Sequence, residues 1–356
     1  LAVAHPLSGG TYVYAGVHLG SRWATVAGWT FVVAKIASCA AIARAIGAYA
    51  LPGASRATHI VVALAAIAAV TLVNVAGIRA TARAARTIAS AVIGTLAVLI
   101  VWAWTSAPAV VGSVDDARPV AGAARAAAVL FFAFTGFARV ATLGEEVRDP
   151  ARTTPRAMFG AVAVAAGLYG LVLATALRTR APSLLSRSDA PLIEVARAVE
   201  SSLVPLVSAA SIVASLGVLL SLLAGVSRTI LAMARGGDLP VMLDAVSART
   251  QVPHRAELIA AACVAALAAA ADLRTSIGFS AFTILLYYAI TNACALRLRA
   301  PERRYPRVFA WIGMTACFGL AFSLPLDTTI TGLVTVAAGS AVSRALSRGS
   351  GRATRR

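Results

Sequence analysis

The sequence predicts an all-α polytopic membrane protein, and three observations carry that prediction. Hydrophobic residues make up 59% of the 356-residue chain and charged residues 13%, where soluble domains average about 45–50% and about 25%. The apolar residues gather into ten runs, most of them near the roughly 20 residues that cross a ~30 Å hydrocarbon core. The basic residues fall almost entirely between those runs. The formal net charge of +18 therefore reads as membrane-flanking charge, not as a nucleic-acid surface. A soluble enzyme and a disordered chain fit this composition poorly. A soluble bundle of buried helices would need polar faces for solvent, and the runs show almost none.

In chain order the runs cover 23–50, 58–78, 87–106, 125–145, 156–177, 202–234, 256–272, 276–297, 308–323 and 328–343. The breaks carry helix-stopping residues: Leu51-Pro52-Gly53, the polar stretch Ser113 to Pro119, Asp149-Pro150, Asp238-Leu239-Pro240, Pro301 and Pro325. No soluble domain fits between them, so 1–356 is expected to be a single membrane domain. The connection near 178–201 contains Ala190 to Val199, which suits a short surface helix.

Orientation follows from the Lys and Arg residues. With the start of the 23–50 run at the cytoplasm, twenty-one of the 32 flank cytoplasmic ends and eight flank outer ends. The C-terminus is then expected inside. The chain begins with Leu1 and shows no signal peptide, so an N-terminally incomplete chain is expected. Cys39, Cys263, Cys294 and Cys317 each stand alone in an apolar run, which implies neither a disulfide framework nor a metal or other cofactor.

Four features could carry chemistry. Lys35 is the only lysine. It lies twelve residues beyond Trp23, about 18 Å along a helix at ~1.5 Å per residue. That depth is near mid-bilayer, where a charged side chain is costly. A lysine there can release its proton, as an arginine cannot. It is either a proton-coupling group or a structural residue tied to backbone carbonyls of a broken helix. Arg44, nearer the outer end, suits a snorkelling or loop-bonded role. All 14 Asp and Glu fall in connections or at span ends, so any coupling within the membrane is expected to use another group.

The second feature is Phe131-Phe132-Ala133-Phe134-Thr135-Gly136-Phe137. A Thr-Gly pair amid aromatics can break a membrane helix, which is tolerated where the backbone lines a cavity. Helix packing through the glycine is the alternative. The third is Glu145-Glu146-Val147-Arg148-Asp149-Pro150, followed by Arg152 and Thr153-Thr154-Pro155-Arg156. Here Asp149-Pro150 is expected to stop one helix, and Thr154 to cap the next with Pro155 at its first position. Glu145, Glu146, Arg148 and Arg152 form either a solvated loop with local ion pairs or a cytoplasmic gate. The fourth is Pro6 to Tyr14 with its double glycine, a membrane-edge loop on physics alone.

Together these motifs resemble the amino acid–polyamine–organocation superfamily of transporters. The resemblance rests on Pro-x-x-Gly-Gly-x-Tyr-x-Tyr at 6–14, Gly28-Trp29, the 131–137 run, Glu-Glu-x-x-Asp-Pro-x-Arg-x-x-Pro-Arg at 145–156, and Ala232-Met233-Ala234-Arg235 with Asp238-Leu239-Pro240. The nearest flavour looks like basic amino acid/polyamine antiporters and bacterial amino acid permeases. The resemblance implies a LeuT-type fold of twelve helices in two inverted repeats. The ten runs would be helices three to twelve, with helix one and most of helix two absent. It implies secondary transport of an amino acid across the cell membrane by alternating access, coupled to a proton or to exchange, with the lipid bilayer as surroundings. The substrate amine would meet carbonyls near Thr135-Gly136, lined by Phe131, Phe132 and Phe134.

Two departures stand out. Proton-coupled relatives often carry a lysine in helix five, and the 87–106 run has none; Lys35 is the candidate for a similar task. Antiporters of arginine-like substrates use aromatics in helix eight. The 202–234 run offers Ser208, Ser211, Ser215 and Ser221 instead, which favours a smaller or neutral amino acid. A rival reading is a non-transporting remnant or sensor of the same fold. A channel would need a continuous polar stripe, and a membrane enzyme clustered His or Asp; neither pattern is present.

Overall fold

A computed structural model describes residues 1, 10–77, 82–106, 121–137, 150–180 and 182–349, and these contain helices and no strand. In chain order the helices used below are α1 (Thr11–Leu19), α2 (Ser21–Ala50), α3 (Arg56–Val75), α4 (Ala82–Ser106), α5 (Ala121–Phe134), α6 (Pro150–Thr179), α7 (Pro191–Val199), α8 (Val204–Arg235), α9 (His254–Ala270), α10 (Leu273–Leu296), α11 (Arg307–Phe322) and α12 (Leu326–Gly349). Each of the ten apolar runs overlaps one of them, the 125–145 run lying within the described residues only as far as 137. Among the described residues seven helices are long and apolar enough to cross a membrane, and Gly122–Phe134 and Arg307–Phe322 are shorter apolar helices. The expected surface helix is α7, which buries Ile193, Val195 and Ala196 and exposes an ion pair from Arg197 to Glu194 at 3.0 Å.

The helices are not equivalent. In the apolar window of α2, 72% of residues are buried, against 0% in α6 and 17% in α4. So α2 is the interior post of the bundle, and α4 and α6 present aliphatic side chains outward, as lipid requires. The reason lies in the sequence of α2, whose buried positions are mostly alanine, glycine, serine and threonine. Small side chains let neighbouring backbones come close. Six helices use that surface: α1, α3, α8, α9, α10 and α12.

Two faces of α2 do different work. Val32, Cys39, Ala40, Ala43 and Ile46 join the large core formed with α3, α8 and α9. Ala34 and Phe31 pack instead with Ile284 and Tyr287 of α10 and Phe131 of α5. Lys35 lies at the seam between these faces. Polar contacts pin the post at both ends. The Trp29 indole N–H donates to Ser343 Oγ of α12 at 2.8 Å. Arg44 donates to the Arg56 carbonyl at 3.4 Å, which makes it loop-bonded.

The reading of Pro155 needs correction. Helix α6 begins at Pro150 and carries Pro155 inside it. Pro150 takes the first helical position, where a missing N–H costs nothing. Pro155 comes so early that the helix forgoes a single bond there. Glu145, Glu146 and Arg148 lie outside the described residues. Arg152 is described and exposed in the first turn of α6.

The α2–α3 crossing is a sharp test of packing. A Cβ at Gly47 would stand 2.6 Å from the His59 carbonyl oxygen, whereas one at Gly94 would meet nothing within 4 Å. Gly47→Val is expected to cost about 1–3 kcal/mol and to lower the melting temperature of the detergent-solubilised protein. Gly94→Ala should leave it unchanged or higher.

Candidate functional site

The α-helical turn of α5 ends at Phe134, and Thr135–Phe137 continues as a 3-10 turn. Carbonyls at a helix end lose their partners and must find others. Thr135 supplies one, its hydroxyl donating to the Phe132 carbonyl at 2.9 Å. Tyr169 of α6 supplies another, donating to the Ala133 carbonyl at 3.0 Å. Around the turn, Phe131 meets Tyr288 edge-on at 5.5 Å and Phe134 meets Tyr169 at 5.1 Å between ring centroids. Gly136 is exposed, and a Cβ there would meet nothing within 4 Å. The α-helix therefore gives way to a 3-10 turn where the Thr-Gly pair stands, beside an aromatic cluster.

Lys35 reaches this break. It is only 5% exposed. Its Nζ donates to Thr135 Oγ1 at 3.4 Å and stands 5.9 Å from the centre of the Phe31 ring. The hydroxyl of Thr135 thus accepts from the lysine and donates to Phe132 at the same time. No carboxylate pairs with Lys35 among the described residues. Its backbone is held next door: Ser280 Oγ of α10 lies 2.9 Å from the Ala34 carbonyl and 2.8 Å from Ser38 Oγ. Neither serine stands out in the sequence, because serine in an apolar run usually bonds its own helix.

A second polar cluster joins α1 and α2 to the end of α8. The Tyr12 hydroxyl donates to Asp238 Oδ2 at 2.9 Å, and the Thr25 hydroxyl donates to Oδ1 at 2.7 Å. Gly28 lets this packing close, since a Cβ there would meet Met233 Sδ at 2.7 Å. Beside it, Arg235 pairs with Asp244 at 2.7 Å.

A family model described as amino acid permease matches residues 1–344. The chain belongs to the amino acid permease family. That is a family of transporters, not of enzymes. An uncharacterized transporter of Mycobacterium tuberculosis is 47% identical to this permease over 349 residues, covering 96% of this chain and 77% of its own length. Cationic amino acid transporter 4 of Homo sapiens is 27% identical, covering 85% of this chain and 51% of its own. The branched-chain amino acid permease BcaP of Bacillus subtilis is 24% identical, covering 89% and 72%.

In the permease, the sequence-derived candidates divide in two. Lys35, Phe131 and Thr135 meet where α2, α5 and α10 come together, with Phe132, Phe134 and Gly136 at the same break. Ser211 and Ser215 stand half-buried on α8, which packs against α2, α3, α4, α7 and α9, while α5 packs against α10 and α11. They are therefore across α2 from the break. The Asp238 cluster went unassigned from sequence, since Tyr12 and Asp238 lie 226 positions apart. Hydrogen bonds to a charged group are worth about 1.5–3 kcal/mol each. Asp238→Ala is expected to lose both and to lower the melting temperature more than Asp238→Asn, which keeps one acceptor.

Proposed function

We propose that this permease is a secondary active transporter of amino acids, working by alternating access, with the α5 break holding substrate and Lys35 as the proton-exchanging group. The observation that supports this most is the buried lysine itself, aimed at the 3-10 turn that ends α5 and lacking a paired carboxylate among the described residues. A permanent charge in that position would be costly. An amine that gains and loses a proton as water enters and leaves the site avoids a standing penalty.

The accompanying fold is a LeuT-type inverted repeat whose helices three to twelve are the ten helices that occupy the apolar runs. The protein is multi-pass in the cell membrane, with its C-terminus cytoplasmic, as the arginine asymmetry favours. Glu145, Glu146, Arg148 and Arg152 form a cytoplasmic gate whose ion pairs open during transport. At the break, carbonyls of the 3-10 turn receive the substrate amine beside Phe131, Phe132 and Phe134. Ser211 and Ser215 serve the α8 side of the path.

A small or neutral amino acid suits this site better than a cationic one. Helix α8 has no aromatic residue to stack on a cation. A lysine ammonium nearby also opposes a second positive charge.

Two experiments in proteoliposomes test the reading on the full-length protein. Lys35→Ala should lose pH-dependent accumulation while keeping exchange of substrate across the membrane, and Lys35→Arg should fail in the same way because a guanidinium keeps its proton. Accumulation with the wild-type pH dependence in Lys35→Ala would make Lys35 structural. Gly136→Leu should abolish substrate binding and leave membrane insertion intact, because the open space at Gly136 admits a side chain without moving the backbone. Unchanged binding would remove the break from the site.

A further inference from the structure

The connection between α10 and α11 reads Arg297-Leu298-Arg299-Ala300-Pro301-Glu302-Arg303-Arg304-Tyr305-Pro306-Arg307. It holds five arginines against one glutamate, and no other eleven-residue stretch of the chain holds as many basic residues. A cluster of this size beside a membrane helix attracts anionic headgroups. Flanking charge alone needs no particular backbone; this segment has one.

The segment is a built turn. Arg297 N–H donates to the Cys294 carbonyl at 3.0 Å and Leu298 N–H to the Ala295 carbonyl at 3.3 Å, which carries the end of α10 outward. Leu298 is buried and fastens the chain to the bundle. Ala300–Glu302 then forms a 3-10 turn. It is closed by Glu302 N–H donating to the Arg299 carbonyl at 3.1 Å and by Arg299 N–H donating to Glu302 Oε2 at 3.3 Å. The carboxylate of the segment is thereby directed onto the segment's own backbone. Pro301 and Pro306 fix two further dihedrals. On this frame Arg297, Arg299, Arg304 and Arg307 are exposed and Arg303 is half-buried.

Two features bring the turn to headgroup depth. Helix α11 has 16 residues, about 24 Å at ~1.5 Å per residue, which is shorter than a ~30 Å hydrocarbon core. A short helix draws its flanking residues into the interface. Alongside the arginines, Tyr305, Phe309, Trp311 and Ile312 are each more than half exposed. Guanidinium groups next to an apolar surface match the two parts of a phospholipid. A guanidinium plane meets phosphate oxygens in pairs, and exposed aromatic and aliphatic side chains suit the acyl chains below.

We propose that the α10–α11 turn is a binding site for an anionic phospholipid. Its arginines hold the headgroup phosphate, and Tyr305, Phe309, Trp311 and Ile312 lie along the acyl chains. A phosphatidylcholine headgroup also carries a phosphate. Its choline, however, brings another positive charge to a segment whose five arginines and one glutamate leave a net +4. With the C-terminus cytoplasmic, the lipid belongs to the inner leaflet. Binding itself depends neither on that orientation nor on the role of Lys35.

Native mass spectrometry of the full-length protein in detergent, titrated with phosphatidylglycerol or with phosphatidylcholine of the same chains, counts the bound lipids. Phosphatidylglycerol should bind roughly tenfold more tightly or better. The triple variant Arg299→Gln/Arg303→Gln/Arg307→Gln should lose about a hundredfold in affinity for phosphatidylglycerol, at roughly fivefold per arginine, and keep its affinity for phosphatidylcholine. The matched triple Arg83→Gln/Arg86→Gln/Arg228→Gln removes as many arginines from other helix ends and should leave phosphatidylglycerol binding nearly unchanged. Equal binding of the two lipids, an unchanged affinity in the first triple, or the same loss in both triples overturns the proposal. Displacement of the lipid by millimolar inorganic phosphate also overturns it, because the site would then take any small anion. So does displacement by a polyglutamate peptide at micromolar concentration, because the turn would then be a protein contact. If the first triple fails to insert, the lysine version at the same three positions decides. It keeps the charge but loses the paired phosphate contacts. Its affinity for phosphatidylglycerol should fall several-fold, and an unchanged value overturns the proposal.

Discussion

A lysine buried at the centre of the most enclosed helix is the constraint on which this permease is built. Placing α2 inside the bundle requires a surface on which six helices can pack, and alanine, glycine, serine and threonine provide it. The same packing removes water from Lys35. Its head group must then reach a fixed oxygen, and the Thr135 hydroxyl at the α5 break is that oxygen. Interior packing and the broken helix are thus two sides of one arrangement. A straight α5 would have its carbonyls spent within the helix. An α2 made of larger residues would hold its neighbours apart and let water in.

Several polar groups in the interior are satisfied across a helix boundary by a residue far away in sequence. Thr135 serves α2 from α5, Ser280 serves α2 from α10, Asn74 joins α3 to α8 and α9, and Asp238 gathers α1 and α2 to the end of α8. In hydrocarbon no solvent can substitute for a lost partner, so such bonds set which helices are neighbours. The apolar surface, by contrast, is permissive. Leu, Val and Ile of α4 and α6 face outward without any particular partner.

Much of this could be read from sequence because the membrane simplifies the problem. The bilayer fixes span length, so apolar runs bounded by Pro, Gly and Arg anticipate where helices lie among the described residues. A lone lysine inside such a run had to be buried and had to find oxygen. The Thr-Gly pair among phenylalanines marked where α5 gives way to a 3-10 turn. Contacts were the illegible part. Lys35 and Thr135 are 100 positions apart, and Asn74 and Glu257 are 183 apart; spacing within a helix says nothing about such pairs. The burial of Glu257 was illegible for a specific reason. A carboxylate in a first helical turn normally faces water, and only the packing of α2, α3 and α8 around that turn encloses it. Pro155 misled because two prolines compete for the helix start, and Pro150 wins by adding five more residues of helix.

The distribution of basic residues ties these points together. Of the 32 lysines and arginines, one is lysine. At membrane ends a permanent charge is an advantage, because it fixes orientation and is always hydrated, and there the chain uses arginine throughout. At the centre of α2 a permanent charge would face a hydroxyl, an aromatic ring and a thiol turn, none of which neutralises it. The chain places there the one basic side chain whose charge can be given up. The bundle thus keeps fixed charge at its rims and places, on the helix that the other elements grip, a basic group that can become neutral.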